Sequence, residues 1–198
     1  PPSFVELANL RKLDLSWNEL TYLPEKIGDL SNLEVLNINK WGRFSSSWMD
    51  FGEGSLEIFA QPTVNMFKNW EAHNGIRNLP DSFCKLKKLR QLILIKNQLN
   101  KLPDKFGELE QLEVFLCGAN ELASLPSSFG KLSRLTTLNL QENELLELPK
   151  SFSDLQNLQL LVLRFNNIQS LPEDFGDLGK LKTLTLGYNS LTNLPESM

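Results

Sequence analysis

The chain has 198 residues, of which 41% are hydrophobic and 22% are charged, and its net charge is −4. This balance is typical of a globular protein and argues against a broad basic surface for nucleic acid or an anionic membrane. No run of about 18 apolar residues is present, so the sequence predicts no membrane-spanning helix.

A 23-residue repeat organises the chain from Leu10 onward. Successive units are spaced by 23 residues, except that the interval from Leu33 to Leu89 is 56 residues. The consensus is LxxLxLxxNxLxxLPxxFxxLxx, and residues 1–7 supply the end of an earlier unit. Units begin at Leu10, Leu33, Leu89, Leu112, Leu135, Leu158 and Leu181.

Each position of the consensus has a physical role. The LxLxx part alternates apolar and polar residues, which predicts a short strand with one buried face. The asparagine can donate to and accept from the backbone of adjacent coils, and the Leu-Pro pair fixes φ and ends strand pairing. The aromatic position predicts an apolar column opposite the strands, formed by Phe4, Ile27, Phe83, Phe106, Phe129, Phe152 and Phe175.

Stacking of the repeats is required, because one unit of 23 residues cannot bury its own apolar face. We therefore expect residues 1–198 to form a single domain of about seven full coils and a partial first one, with parallel strands on one side.

This pattern resembles the leucine-rich repeat in its 23-residue Leu-Pro form. It is similar to bacterial leucine-rich repeat proteins, plant intracellular Ras-group proteins and scaffolds of the scribble and erbin type, over residues 1–40 and 74–198. The resemblance implies an α/β right-handed solenoid, with a parallel concave β-sheet and a convex side of irregular, 3-10 or short helical segments. It also implies that partners bind the concave strand face, which is the side of the strands turned away from the leucines.

The concave strand face is predicted to carry two apolar groups, separated by polar residues such as Asn139; the second group consists of Leu160, Val162, Phe165 and Tyr188. The first, here called the aliphatic patch, consists of Ile93, Ile95, Val114 and Leu116. A partner or another part of the chain is expected to cover it; the alternative is that these are scattered surface hydrophobics without a role. The candidate partner-binding residues are Val35, Asn37, Ile93, Ile95, Val114, Leu116, Asn139, Leu160, Val162, Arg164, Phe165 and Tyr188.

Residues 41–73 interrupt the second full repeat with a segment that is too aromatic for a linker. It holds three of the four tryptophans and the only histidine, and either Asn74 or Trp41 fills the asparagine position of that repeat. We expect the segment to fold over the rim and pack on the aliphatic patch. The alternatives are that it projects outward to a partner, mediates self-association, or is disordered without a role. Its candidate contact residues are Trp41, Trp48, Phe51, Phe67 and Trp70.

Catalytic motifs are missing from the sequence. A single histidine supports no Ser-His-Asp or Cys-His system, and Cys84 and Cys117 have no metal-ligand spacing. We therefore expect no enzyme activity, cofactor or metal.

The favoured function is a non-catalytic protein-protein interaction module that binds a protein or peptide and no nucleic acid. The alternative is a small-ligand receptor or regulatory domain of a larger enzyme, with its site between the insertion and the strands. Nineteen asparagines without a glycosylation sequon favour a cytoplasmic location.

Overall fold

The computed structural model describes residues 6–39 and 74–198, so the predictions for residues 1–5 and for 41–73 lie outside the described residues. Seven parallel strands form one sheet in chain order, which confirms the predicted parallel arrangement. Each strand has three residues. The strands are β1 (Lys12–Asp14), β2 (Val35–Asn37), β3 (Gln91–Ile93), β4 (Val114–Leu116), β5 (Thr137–Asn139), β6 (Leu160–Val162) and β7 (Thr183–Thr185).

Strand register is the same at every step along the sheet. Leu36 in β2 pairs with Leu92 in β3, and Leu92 pairs in turn with Phe115 in β4. The sheet therefore continues across the longer 56-residue interval without a change of register. Because side chains alternate along a strand, these central residues all point into the core, and the residues flanking them point to the concave strand face.

Short 3-10 helices form the opposite side of the described coils. Four of them begin directly after a proline whose φ lies between −66° and −63°, at Pro24, Pro80, Pro126 and Pro149. Proline has no N–H to donate to a sheet, and its fixed φ starts the turn toward the helix. The helices are Glu25–Asp29, Asp81–Lys85, Phe106–Glu108, Ser127–Lys131, Lys150–Asp154 and Phe175–Asp177.

The core lies between the sheet and these helices, and it contains the predicted aromatic column. The rings of Phe106, Phe129, Phe152 and Phe175 stack in turn, with centroids 6.0, 6.1 and 6.3 Å apart. Phe115, at a strand position, packs on Phe106 with its ring centroid 5.0 Å away. Each ring fills the gap between neighbouring coils, so the apolar core is continuous along the array.

Asparagine side chains connect adjacent coils inside the core. The Asn120 Nδ2 donates to the carbonyl oxygens of Leu94 at 2.9 Å and Cys117 at 3.1 Å, and its Oδ1 accepts from the Leu99 N–H at 3.0 Å. Equivalent bonds link each asparagine to the coil before it. The same pattern is made by Asn97, Asn143, Asn166 and Asn189.

Asn74 makes the corresponding bonds for the second coil. Its Nδ2 donates to the Leu15 carbonyl oxygen at 2.9 Å, and its Oδ1 accepts from the Leu20 N–H at 2.8 Å. Asn74 therefore fills the asparagine position, as one of the two sequence alternatives predicted, and the coil regains its regular path from this residue onward.

Candidate functional site

The concave strand face carries all twelve predicted partner-binding residues. They lie in strands β2 to β6, or within three residues after a strand. The backbone hydrogen bonds of the sheet fix their positions, so the side chains project from a rigid support rather than from loops.

The aliphatic patch forms as one cluster, separate from the main core. Ile93, Ile95, Val114 and Leu116 are 8, 4, 7 and 1% exposed. The patch is therefore buried in the folded chain.

The neighbouring positions on β5 and β6 are buried as well. Thr137, Asn139, Leu160 and Val162 are all buried, so these four predicted surface positions are not accessible in the folded chain. The Asn139 Oδ1 accepts a hydrogen bond from the Gln141 N–H at 3.0 Å, so this oxygen is already used within the chain. Val35 of β2 is also buried, whereas Asn37 is partly exposed.

The accessible part of the predicted site lies where the chain leaves β6 and β7. Tyr188 is 66% exposed, and its ring stacks on that of Phe165 with the centroids 4.3 Å apart and 13° between the planes. The guanidinium carbon of Arg164 lies 5.4 Å from the Phe165 centroid and 5.9 Å from that of Tyr188. These distances allow cation–π attraction to both rings. We call Arg164, Phe165 and Tyr188 the Arg164 corner.

The backbone conformation of the two aromatic residues is unusual for large side chains. Phe165 and Tyr188 have φ values of 54° and 58°, in the left-handed region. Trp17, Lys96, Ala119 and Glu142 hold the equivalent position in other coils, directly before the asparagine, and share this conformation. The sequence correctly predicted that Phe165 and Tyr188 lie together, but it did not predict that the Arg164 guanidinium lies close to their rings.

The insertion residues Trp41, Trp48, Phe51, Phe67 and Trp70 lie outside the described residues. Their packing on the aliphatic patch, their projection toward a partner and their self-association stay predictions.

Neither cysteine of the chain is positioned for catalysis. Burial raises the pKa of the Cys84 thiol to about 11, and it also raises the pKa of Cys117. Both thiols are therefore protonated at neutral pH, and the thiolate is the reactive form. Among residues 6–39 and 74–198, no three His, Cys, Asp or Glu side chains come together in a way that could hold a metal ion. In the same ranges, no helix has the length and apolar character to cross a membrane.

An open groove of about 680 Å³ lies away from the strands, along the Leu-Pro segments of the first three coils. Its walls include the prolines Pro24, Pro80 and Pro103, and Tyr22 stands at its edge with 74% of its surface exposed. Sequence reasoning did not predict it, because it arises from the way three coils stack. The alternative ligand site between the insertion and the strands would involve residues outside the described part of the chain.

Comparisons with known proteins agree with this architecture. Two leucine-rich repeat family models match residues 9–30 and 116–168. A leucine-rich repeat protein of Leptospira interrogans shares 34% identity at a TM-score of 0.68, and the match covers 100% of this chain and 48% of that one. The chain thus spans about half the length of this relative. No curated protein sequence matches.

A second similar structure is the plant peptide hormone receptor RGFR1 in complex with RGF2. It shares 24% identity at a TM-score of 0.60, over 95% of this chain and 32% of the receptor chain. At this identity the likeness concerns the fold alone.

Proposed function

Because this chain is a leucine-rich repeat protein, we propose that it is a non-catalytic module that binds a protein or peptide on its concave strand face. This fold commonly serves protein interaction, and a receptor of similar fold is described in complex with a peptide hormone. The rigid sheet supports the proposal, since preorganised side chains lose little entropy when a partner binds.

The observation that carries the proposal is the Arg164 corner. Tyrosine and arginine are enriched among the residues that dominate binding energy at interfaces. Here they occur together on the strand face, stacked and accessible, next to buried aliphatic residues of β6 such as Val162. A partner that covers the two rings would bury a large, rigid apolar surface at a small cost in side-chain entropy.

For residues 41–73 we propose that the insertion covers the aliphatic patch and extends the binding face. Two observations support this proposal: the aromatic composition of the segment and the low exposure of Ile93 and Leu116 in the folded chain. Asn74 also returns the chain to the second coil, directly beside the coil that carries Ile93. On this proposal residues 1–198 form one solenoid domain. Partner contacts are then made by the insertion surface together with the Arg164 corner.

A cytoplasmic location is proposed on the basis of composition. Both cysteines are free and buried, and none of the nineteen asparagines lies in a glycosylation sequon. Fractionation of cells that express the natural protein tests this directly. Recovery in the secreted fraction would contradict the proposal.

The test of the binding face uses the full chain as bait and compares two matched tyrosine variants. Partners recovered with the unchanged chain are purified, and their affinity is measured for Tyr188→Ala and Tyr22→Ala. Both residues are exposed, at 66% and 74%, but only Tyr188 lies on the strand face. We expect Tyr188→Ala to weaken binding at least about tenfold, because truncating such a residue typically costs 2 kcal/mol or so. Equal binding by both variants would place the interface elsewhere.

A further inference from the structure

We propose that the Arg164 corner recognises a carboxylate group of a peptide partner, so that Arg164 binds the anion and the two rings hold the adjacent apolar part. This inference rests on the proposed function and narrows the chemistry of its partner. It follows from what the Arg164 side chain does and does not contact.

Arg164 has no carboxylate partner among the described residues. Three salt bridges join charged side chains of neighbouring coils elsewhere: Arg11 with Glu34, Lys87 with Glu108 and Arg90 with Glu113. The Arg164 guanidinium instead lies over the Phe165 and Tyr188 rings. An aromatic ring offers no carboxylate oxygen, so the N–H groups of the guanidinium remain available for an anion.

Gly187 lies beside the Arg164 side chain. It follows β7, and a Cβ placed there would lie 3.8 Å from the Arg164 Nε, which is ordinary van der Waals contact. The Arg164 side chain therefore extends from its own coil toward the end of the neighbouring strand.

A second polar group near the corner also lacks a partner. The Thr185 Oγ1 is buried and finds no hydrogen-bond partner within the described part of the chain. Thr185 pairs with Val162 and lies two residues before Gly187, on the same face. A buried hydroxyl without a partner costs free energy unless a ligand or water satisfies it. A buried hydroxyl without a partner, beside an arginine without a carboxylate partner and an apolar wall, supports a polar ligand with an apolar neighbour.

A carboxylate fits this arrangement better than a dianion such as phosphate. The planar guanidinium presents two parallel N–H groups, which match the two oxygens of a carboxylate. One guanidinium balances one negative charge. The neighbouring coil contributes Glu142, which is partly buried, so a doubly charged ligand would meet an acidic side chain there.

The test uses the full chain and three dipeptides that differ only in their carboxylates. Acetyl-Asn-Phe has a terminal carboxylate, acetyl-Asp-Phe-amide has a side-chain carboxylate, and acetyl-Asn-Phe-amide has neither. Binding is followed by NMR through the Arg164 Nε–Hε signal and the Tyr188 ring signals. We expect at least one acidic dipeptide to shift both sets of signals and to bind about tenfold more tightly than the neutral one. Which of the two binds identifies the source of the carboxylate.

Variants of Arg164 separate the effect of its charge from the effect of its planar pair of donors. Arg164→Gln should remove the preference for the acidic dipeptide, and Arg164→Lys should reduce it about threefold or more, because a lysine keeps the charge but loses the planar pair of donors. Arg134→Gln removes an exposed arginine elsewhere and should change nothing. Thermal unfolding of each variant confirms that it folds. Equal affinity for the acidic and neutral dipeptides, or an unchanged preference in Arg164→Gln, overturns the inference.

The two proposals fail separately. If Tyr188→Ala loses the protein partner but no dipeptide shows a carboxylate preference, the strand face binds without the proposed anion contact. If the carboxylate preference is found but Tyr188→Ala retains the partner, the corner binds anions and the protein interface lies elsewhere.

Discussion

Gly107 lies directly against the backbone of Ser128 in the next coil. A Cβ at Gly107 would come within 1.8 Å of the Ser128 carbonyl oxygen, and the Gly107 N–H donates to the Ser128 Oγ at 3.1 Å. The Ser128 hydroxyl donates in turn to the Asp104 carbonyl oxygen at 2.6 Å. The 3-10 helices of these coils therefore touch through their backbones. Equally close pairs are Gly28 with Ser82, Gly130 with Ser151 and Gly176 with Ser197.

The residue at the glycine position of each coil varies together with the residue at the serine position of the next coil. Cys84 and Ser153 occupy the glycine position in two coils, and there the next coil has Lys105 or Asp174 in place of the serine. In both of those next coils the 3-10 helix has three residues, whereas the helices that carry the serine have five. A side chain is thus accommodated where the neighbouring helix is shorter.

We expect Gly107→Ala to destabilise the fold strongly. The overlap involves the Ser128 backbone, which no side-chain rotation can relieve, so the two coils must separate. The free energy of unfolding should fall by about 3 kcal/mol. Urea unfolding of the full chain measures this. Gly179→Ala is the control, because the nearest atom to its added Cβ is 3.9 Å away; it should change stability by no more than about 0.5 kcal/mol. Similar losses in the two variants would contradict the close contact.

The asparagines that connect adjacent coils, here called the asparagine ladder, should differ in how much stability is lost when each is replaced. Asn120 is buried and satisfies four backbone groups, so Asn120→Ala should lower the free energy of unfolding by about 3 kcal/mol. Asn189 makes three equivalent bonds in the last coil but is only partly buried. Water can replace some of its bonds, and Asn189→Ala should cost about 1 kcal/mol. Chemical unfolding of both variants tests the difference. Equal costs would mean that burial of the ladder does not matter.

The regular parts of this fold were predictable from sequence, because each depends on contacts that recur with the repeat. The strand positions, the ladder through Asn143 and the stacking of Phe129 on Phe152 follow from the consensus alone. The contact of Phe165 with Tyr188 was also predictable, since equivalent positions in adjacent coils lie side by side.

Features that depend on differences between two coils were not predictable. The match between Gly107 and Ser128 needs the spacing of two helices, and the approach of Arg164 to two aromatic rings needs the path of its side chain between two coils. Leu116 is buried, but strand alternation tells only which face a residue occupies and not what packs over that face.

Because Phe129 lies inside the aromatic column, the loss of stability should increase with the volume that a substitution removes at this position. Phe129 is fully buried between Phe106 and Phe152. Phe129→Ala leaves a cavity and should cost about 3–5 kcal/mol. Phe129→Leu should cost roughly half as much or less, because Ile27 shows that an aliphatic residue fits this position. Thermal unfolding compares the two. If the leucine variant were as unstable as the alanine variant, stacking rather than volume would dominate the column.

Alkaline pH should destabilise the protein through Cys84. Burial, with a smaller contribution from Glu108, raises the pKa of this thiol to about 11, whereas an unfolded cysteine ionises near pH 8.5. Between these values the unfolded chain loses a proton that the folded chain keeps. Stability is therefore full below about pH 8.5 and falls as the pH rises toward 11. The Cys84 contribution to this loss should reach about 2 kcal/mol.

Comparison with Cys84→Ala isolates this effect from the lysines and tyrosines that titrate in the same range. The free energies of unfolding of the two proteins are measured at pH 8 and at pH 10.5, at one salt concentration. Removing the thiol costs some packing at both pH values, since Cys84 is buried, and that part cancels in the difference. We expect the unchanged protein to lose about 2 kcal/mol more than the variant between the two pH values. An identical loss in both proteins would show that the Cys84 thiol ionises equally easily in the folded chain, and that its burial does not hold it protonated.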